Sequence, residues 1–179
     1  KILSTSKALK VSSLDTAFSY GSAHKVLSNL NINNFEVTTK IDSSSIFPIS
    51  KLRESILFFQ DQIKLDRPVN LLVHDTDNLS SALIIEALEN LNILKDEGYL
   101  SQTGISIYSP KILIGIFNKV EFDIVQFPLN AFDRRMISSG WIKKLKNSGV
   151  TLQARSIFLQ GMLFVDSSKL PNYFKQWKH

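Results

Sequence analysis

Four side chains of the kinds used for proton transfer stand at the ends of stretches that read as buried strands. Leu14-Asp15-Thr16-Ala17-Phe18-Ser19-Tyr20-Gly21 delivers a carboxylate behind an apolar run and a phenol one short turn later. Phe35-Glu36-Val37-Thr38-Thr39-Lys40 ends in an amine, and Val69-Asn70-Leu71-Leu72-Val73-His74 ends in an imidazole. Each has an ordinary structural explanation on its own. An Asp after a strand caps a helix or opens a turn, and a strand-end histidine can simply be hydrogen-bonded in place. As a set they differ, because a parallel barrel opens the carboxyl ends of all its strands onto one face, where active sites lie. Asp15, Tyr20, Lys40 and His74 are therefore expected to converge. Such a set suits general acid–base chemistry. The lysine leaves a second chemistry open, a Schiff-base aldolase, since lysines used that way also sit on barrel strand ends.

The elements that must position these groups follow from hydrophobic period. Ile2, Leu3, Ala8 and Leu9 make a helical stripe at the start. A strand is expected over 11–17, a helix over 21–30 with Ala23, Val26, Leu27 and Leu30 on one side, and a second strand over 35–41. After a loop from Asp42 to Ser45, a helix over 49–64 carries Leu52, Ile56, Phe59 and Ile63 as its inward stripe. Val69 to His74 is a near-continuous apolar run, as expected of a strand covered on both faces. Asp77 or Asn78 is the expected cap of the next helix, with Leu83, Ile84, Ala87, Leu88, Leu91 and Leu94 inward and Gly98 ending it. Strand four spans 100–107, and Ser109-Pro110 opens a helix to about residue 119. Strand five spans 122–129, one helix containing Ile137, Trp141, Ile142 and Leu145 ends near Gly149, and strand six spans 151–157. A last helix is expected after Pro171. Six alternations of strand and helix with short connections make a single parallel α/β domain. Asp15-Thr16-Ala17 stands where a dinucleotide-binding domain would carry a glycine-rich turn, so a barrel is favoured over a doubly wound sheet.

Composition sets the outer limits. The 179 residues suffice for one core, and 44% hydrophobic with 21% charged residues is ordinary for a folded domain. The net charge of +5 is spread over scattered lysines, so a solvated surface is expected and no nucleic-acid partner. There is no cysteine, hence no disulfide framework and no Cys-based zinc site, and no metal is expected. No apolar run approaches the length needed to cross a membrane. The first ten residues are too polar for a signal-peptide core, which makes the cytoplasm the expected location.

The order of the motifs resembles the aldo-keto reductase superfamily. The matching pieces are Asp15-Thr16-Ala17 with Tyr20-Gly21, Thr38-Thr39-Lys40, Leu72-Val73-His74, Gly104-Ile105-Ser106, Val125-Gln126, and Ala154-Arg155-Ser156-Ile157-Phe158-Leu159-Gln160-Gly161. The resemblance spans nearly the whole chain. It implies a (β/α)8 barrel of the TIM type that reduces aldehydes or ketones with NADPH, or with NADH. By the same resemblance Tyr20 is the general acid. A free phenol titrates at about 10, too high for efficient proton donation at neutral pH, and an adjacent ammonium favours the phenolate. That is the part implied for Lys40, with Asp15 holding the lysine in place and His74 orienting the substrate carbonyl. Ser106 and Gln126 match the family's ligands of the nicotinamide carboxamide. Arg155 stands where the family often stacks a tyrosine on the nicotinamide, and Ser156, Phe158 and Gln160 match the loop along the pyrophosphate. Ile107 replaces an asparagine common in the family.

The family pattern runs past both ends of these 179 residues. The chain is accordingly expected to be a partial barrel of about six strands, incomplete at both ends, with parallel edges open to self-association. An incomplete barrel is expected to be inactive alone. The rival from another class is a catalytically silent binding or regulatory protein on the same scaffold, since fold does not fix function.

Overall fold

The computed structural model of the protein describes residues 2–46 and 48–169. The helix expected after Pro171 lies outside these residues. Helix α1 (Ile2–Ala8) leads into strand β1 (Ser13–Asp15), followed by α2 (Ala23–Ser28), β2 (Glu36–Ile41), α3 (Ile49–Ile63), β3 (Val69–Val73), α4 (Ser81–Asp96), β4 (Leu100–Ser106), α5 (Lys111–Ile116), β5 (Ile124–Pro128), α6 (Arg135–Ser138), α7 (Trp141–Asn147) and β6 (Thr151–Arg155). The strands form one six-stranded sheet in sequence order, every neighbouring pair parallel. Right-handed crossovers through the helices are the way parallel neighbours of this kind are joined.

The sheet is curled. Strands lie about 4.8 Å apart, so β1 and β5 of a flat sheet would stand roughly 19 Å from each other. Yet Gln126 on β5 donates to Asp15 Oδ1 on β1 at 2.8 Å, and Gln153 on β6 donates to Thr38 Oγ1 on β2 at 3.2 Å. Only an arc with these side chains on its concave side brings them together, and six strands on such an arc are a partial (β/α)8 barrel. Strands β1 and β6 are its edges, and a cavity of about 420 Å³ bounded by Leu14, Asp15, Thr38, Gln126, Gln153 and Arg155 opens between them.

Side-chain alternation explains why the strands are covered on both faces. Val37 and Ile41 of β2, Val69, Leu71 and Val73 of β3, and Val125 and Phe127 of β5 join the apolar core under the helices. The residues between them, among them Thr38, Lys40, Asn70 and Gln126, are buried polar groups on the concave side. The outer layer is closed by Leu52, Ile56, Phe59 and Ile63 of α3 and by Ile84, Ala87, Leu88, Leu91 and Leu94 of α4, all at most 1% exposed. Among the described residues no helix is long and apolar enough to cross a membrane.

Three expectations need correction. Residues Thr76–Asn78 form a 3-10 turn, and α4 is capped by Ser80, whose side chain accepts from the Leu83 amide. Asp77 instead accepts from the Tyr108 amide, which leaves the cap to the serine beside the helix. Leu83 belongs to the exposed face of α4 at 45% exposure, because the inward stripe begins one residue later at Ile84. The single helix expected up to Gly149 is two, α6 and α7, separated at Gly140, whose φ of 75° no helix continues through.

Gly104 is a packing requirement. A Cβ there would lie 2.0 Å from the backbone oxygen of Ile124, its register partner on β5. Backbone cannot retreat as a side-chain tip can. Gly104→Ala is expected to cost about 1–3 kcal/mol or more, which should appear as a lower urea midpoint at unchanged m-value.

Candidate active site

Asp15, Tyr20 and Lys40 are brought together by β1–β2 pairing. Beyond Asp15 the chain keeps running beside β2, with the Thr16 amide donating to the Thr38 carbonyl and the Phe18 amide to the Lys40 carbonyl, both at 2.9 Å. A turn then brings the Tyr20 amide onto the Ala17 carbonyl at 3.1 Å. The phenol is thereby carried over the end of β2. Lys40 points to the concave side and is 1% exposed. Its Nζ donates to both Asp15 carboxylate oxygens and to the Thr16 carbonyl, each at 2.8 Å. The Tyr20 Oη lies 3.5 Å from the same nitrogen, and the ring centroid 5.0 Å away. A buried ammonium is tolerable only when paired and hydrogen-bonded, and three oxygens at 2.8 Å meet that need. Asp15 is 45% exposed at its side chain and Tyr20 is 47% exposed, so the charge pair opens towards solvent through the phenol.

His74 follows β3, its amide donating to the Ile41 carbonyl at 2.9 Å. Its ring stands edge-on to Tyr20 with centroids 6.4 Å apart. Nδ1 lies 3.2 Å from Asp42 Oδ1 and 3.5 Å from Ser19 Oγ. Asp42 was legible only as a loop residue. Standing two positions after Lys40 and just past β2, it takes its role from the register that sets Ile41 beside Val73.

Ser106 and Gln126 are register partners on β4 and β5 and touch, Ser106 Oγ donating to Gln126 Oε1 at 3.1 Å. Gln126 Nε2 donates to Asp15 Oδ1 at 2.8 Å and to Gln153 Oε1 at 3.3 Å. The carboxamide is thus tied to the Asp15–Lys40 pair, a link that no spacing in the sequence indicates. Arg155 lays its guanidinium over the Tyr108 ring, 4.0 Å from the centroid, and donates to the Ile107 carbonyl at 3.3 Å. Ser156, Leu159 and Gln160 all have positive φ, at 60°, 48° and 57°. The segment after β6 is therefore tightly turned, with the 3-10 stretch Leu159–Phe164 kinked at Gln160 and Gly161. Asp15, Tyr20, Tyr108, Arg155, Phe158, Gln160 and their neighbours line one open cleft of about 670 Å³, within the size range of small-molecule sites. No group of three or more His, Cys, Asp or Glu among the described residues is placed to hold a metal ion.

The model of the Aldo/keto reductase family matches residues 6–179. The chain belongs to this family. No curated protein matches the sequence. Among solved structures, a thermostable aldo-keto reductase in complex with the inhibitor epalrestat superposes with a TM-score of 0.71 at 18% identity, covering 98% of this chain and 63% of that one. An aldo-keto reductase from Bacillus halodurans gives 0.69 at 20% identity, covering 90% and 56%. The aldo/keto reductase from Brucella melitensis gives 0.67 at 21% identity, covering 92% and 65%. This aldo/keto reductase chain thus spans 56–65% of the length of those structures. At these identities they establish the shared barrel fold.

His24 lies behind the site, with its ring 5.2 Å from Phe18 and 4.5 Å from Phe59. Its Nε2 is buried without a partner. Burial pushes its pKa below the usual imidazole value, and a hydrogen bond with the Ala17 backbone offsets this only in part. The folded state therefore binds fewer protons than the unfolded one in this range. The contribution is fully present above the unfolded value near 6.5 and is lost as pH falls through the lower folded value. Urea unfolding between pH 7.5 and 5 should show this slope, and His24→Phe should flatten it.

Proposed function

We propose that the protein carrying this chain reduces an aldehyde or ketone, taking hydride from NADPH, or from NADH, with Tyr20 as the proton donor. The observation that carries the reading is the Lys40 ammonium, 2.8 Å from both oxygens of Asp15 and 3.5 Å from the Tyr20 phenol at the mouth of a cleft. In that position Lys40 stabilises negative charge developing on the phenol oxygen as its proton leaves. Asp15 keeps the ammonium in place, and Gln126 in turn fixes the Asp15 carboxylate. His74, across from the phenol, orients the carbonyl.

The fit to a nicotinamide cofactor rests on the cleft itself. It runs without a break from Tyr20 past Arg155 to Ser156, Phe158 and Gln160, so the proton donor and the pyrophosphate loop share one surface. The cofactor would supply hydride to the carbonyl carbon. Ser106 and Gln126 would hold its carboxamide, Gln126 exchanging its longer bond to Gln153 for that contact. Arg155 would stack on the ring, using the guanidinium face turned away from Tyr108. The same arrangement favours a reductase over a Schiff-base aldolase, because the N–H groups of Lys40 are turned onto carboxylate and carbonyl oxygens and no lone pair faces the cleft.

The proposal extends to a cytoplasmic protein and to one aldo/keto reductase domain whose barrel needs more than these residues. The open β1 and β6 edges are a surface for self-association. NADPH titration by fluorescence, together with carbonyl-dependent NADPH oxidation, tests the function. Cofactor binding without turnover on a broad set of aldehydes and ketones would favour the silent scaffold. A borohydride-trapped adduct on Lys40 would favour the aldolase.

A further inference from the structure

We propose that Asp42 is a positioning residue for His74, holding the proton of the neutral imidazole on Nδ1 and thereby deciding what Nε2 presents to a carbonyl in the cleft. The inference deepens the role proposed above for His74 and rests on that role for its catalytic meaning. The structural part stands on two distances. Nδ1 has Asp42 Oδ1 at 3.2 Å and Ser19 Oγ at 3.5 Å. A hydroxyl donates or accepts as required, whereas an ionised carboxylate only accepts. An unprotonated Nδ1 would set its lone pair against the carboxylate oxygen. The proton therefore sits on Nδ1 and is donated to Asp42.

A neutral imidazole carries one N–H, so Nε2 is left as an acceptor. It cannot then donate to a carbonyl oxygen. It does so only in the imidazolium, where both nitrogens carry protons and Asp42 supplies the compensating charge. The remaining ionisable groups around the ring are accounted for. Tyr20 stands edge-on to it, with the Lys40–Asp15 pair beyond. Asp75, next in the chain, is turned to the Ser43 amide and hydroxyl at 3.1 and 3.3 Å. Asp42 itself precedes the 3-10 turn at Ser43–Ser45 without a side-chain cap bond, so replacing it leaves that turn its backbone bonds. Its side chain is 44% exposed against 23% for His74.

Side-chain ¹⁵N NMR of His74 in the full chain provides a readout independent of turnover. At a pH where His74 is neutral, the wild type should show a protonated Nδ1 and an unprotonated Nε2. Asp42→Ala should shift the tautomer ratio towards Nε2–H by about tenfold or more, as expected for losing a charge-assisted hydrogen bond, and Asp42→Glu should restore it. A wild-type neutral form protonated on Nε2, or a ratio unmoved by Asp42→Ala, would overturn the proposal. In the active protein, Asp42→Ala should change kcat/KM for carbonyl substrates at unchanged cofactor affinity, and Asp42→Glu should restore it; a kcat/KM unmoved by Asp42→Ala would also overturn the assignment. An Nδ1–H tautomer in a protein without carbonyl turnover would leave Asp42 assigned and remove the reductase reading instead.

Discussion

Tyr20→Phe is expected to lower kcat for carbonyl reduction by about 10²–10⁴-fold, the usual scale of general acid catalysis, which corresponds to roughly 3–5 kcal/mol of transition-state stabilisation. The substitution removes one oxygen, and that oxygen has Lys40 Nζ at 3.5 Å. The ring, 47% exposed and edge-on to His74, keeps its place. Cofactor affinity should hardly change, since Tyr20 is not among the residues proposed to hold it. Steady-state kinetics with NADPH titration separates the two effects. A phenylalanine variant with near-normal turnover would take Tyr20 out of the mechanism.

The second large effect concerns stability and is asymmetric. Asp15→Ala leaves the Lys40 ammonium, 1% exposed, with the Thr16 carbonyl and the phenol but no counter-charge. An uncompensated buried charge of this kind costs about 3–5 kcal/mol. Lys40→Met removes the buried charge itself. Asp15, 45% exposed, remains solvated and keeps its bond from Gln126, so the principal loss is the hydrogen bond to the Thr16 carbonyl, about 1–2 kcal/mol. At roughly 2–4 °C per kcal/mol for a chain of this size, calorimetry should find Asp15→Ala melting well below Lys40→Met. Equal losses would mean that Lys40 is neutral in the fold or that solvent reaches it. Both variants should lose reductase activity, which separates their catalytic role from their unequal structural one.

Much of this was decided along the chain. The near-continuous apolar run of β3 and the 3.6-residue stripes of α3 and α4 specify a parallel α/β protein, because burial on two faces and on one face leave different spacings. Strand-end Asp15, Lys40 and His74, with Tyr20 a turn later, are local features. A parallel sheet puts them on one edge whatever its curvature. The order of those motifs also carried the family.

The motif order pointed to a barrel, but which side chains meet across it was not legible. Contacts between strands four apart, Gln126 with Asp15 and Gln153 with Thr38, exist only because the sheet closes on its concave side. Nothing within a strand encodes which distant strand it will face. The same holds for Asp42, which a sequence reads as a loop polar residue until the β2–β3 register sets it against His74. The Asp77 cap and the unbroken helix expected up to Gly149 failed for a related reason. Several residues there satisfied the local rule, and tertiary partners chose among them: the Tyr108 amide claimed Asp77, and a positive φ at Gly140 divided the helix. Local periodicity determined the elements and the residues at their ends. The long-range hydrogen bonds that orient Asp15 and His74 were decided by how the sheet curls.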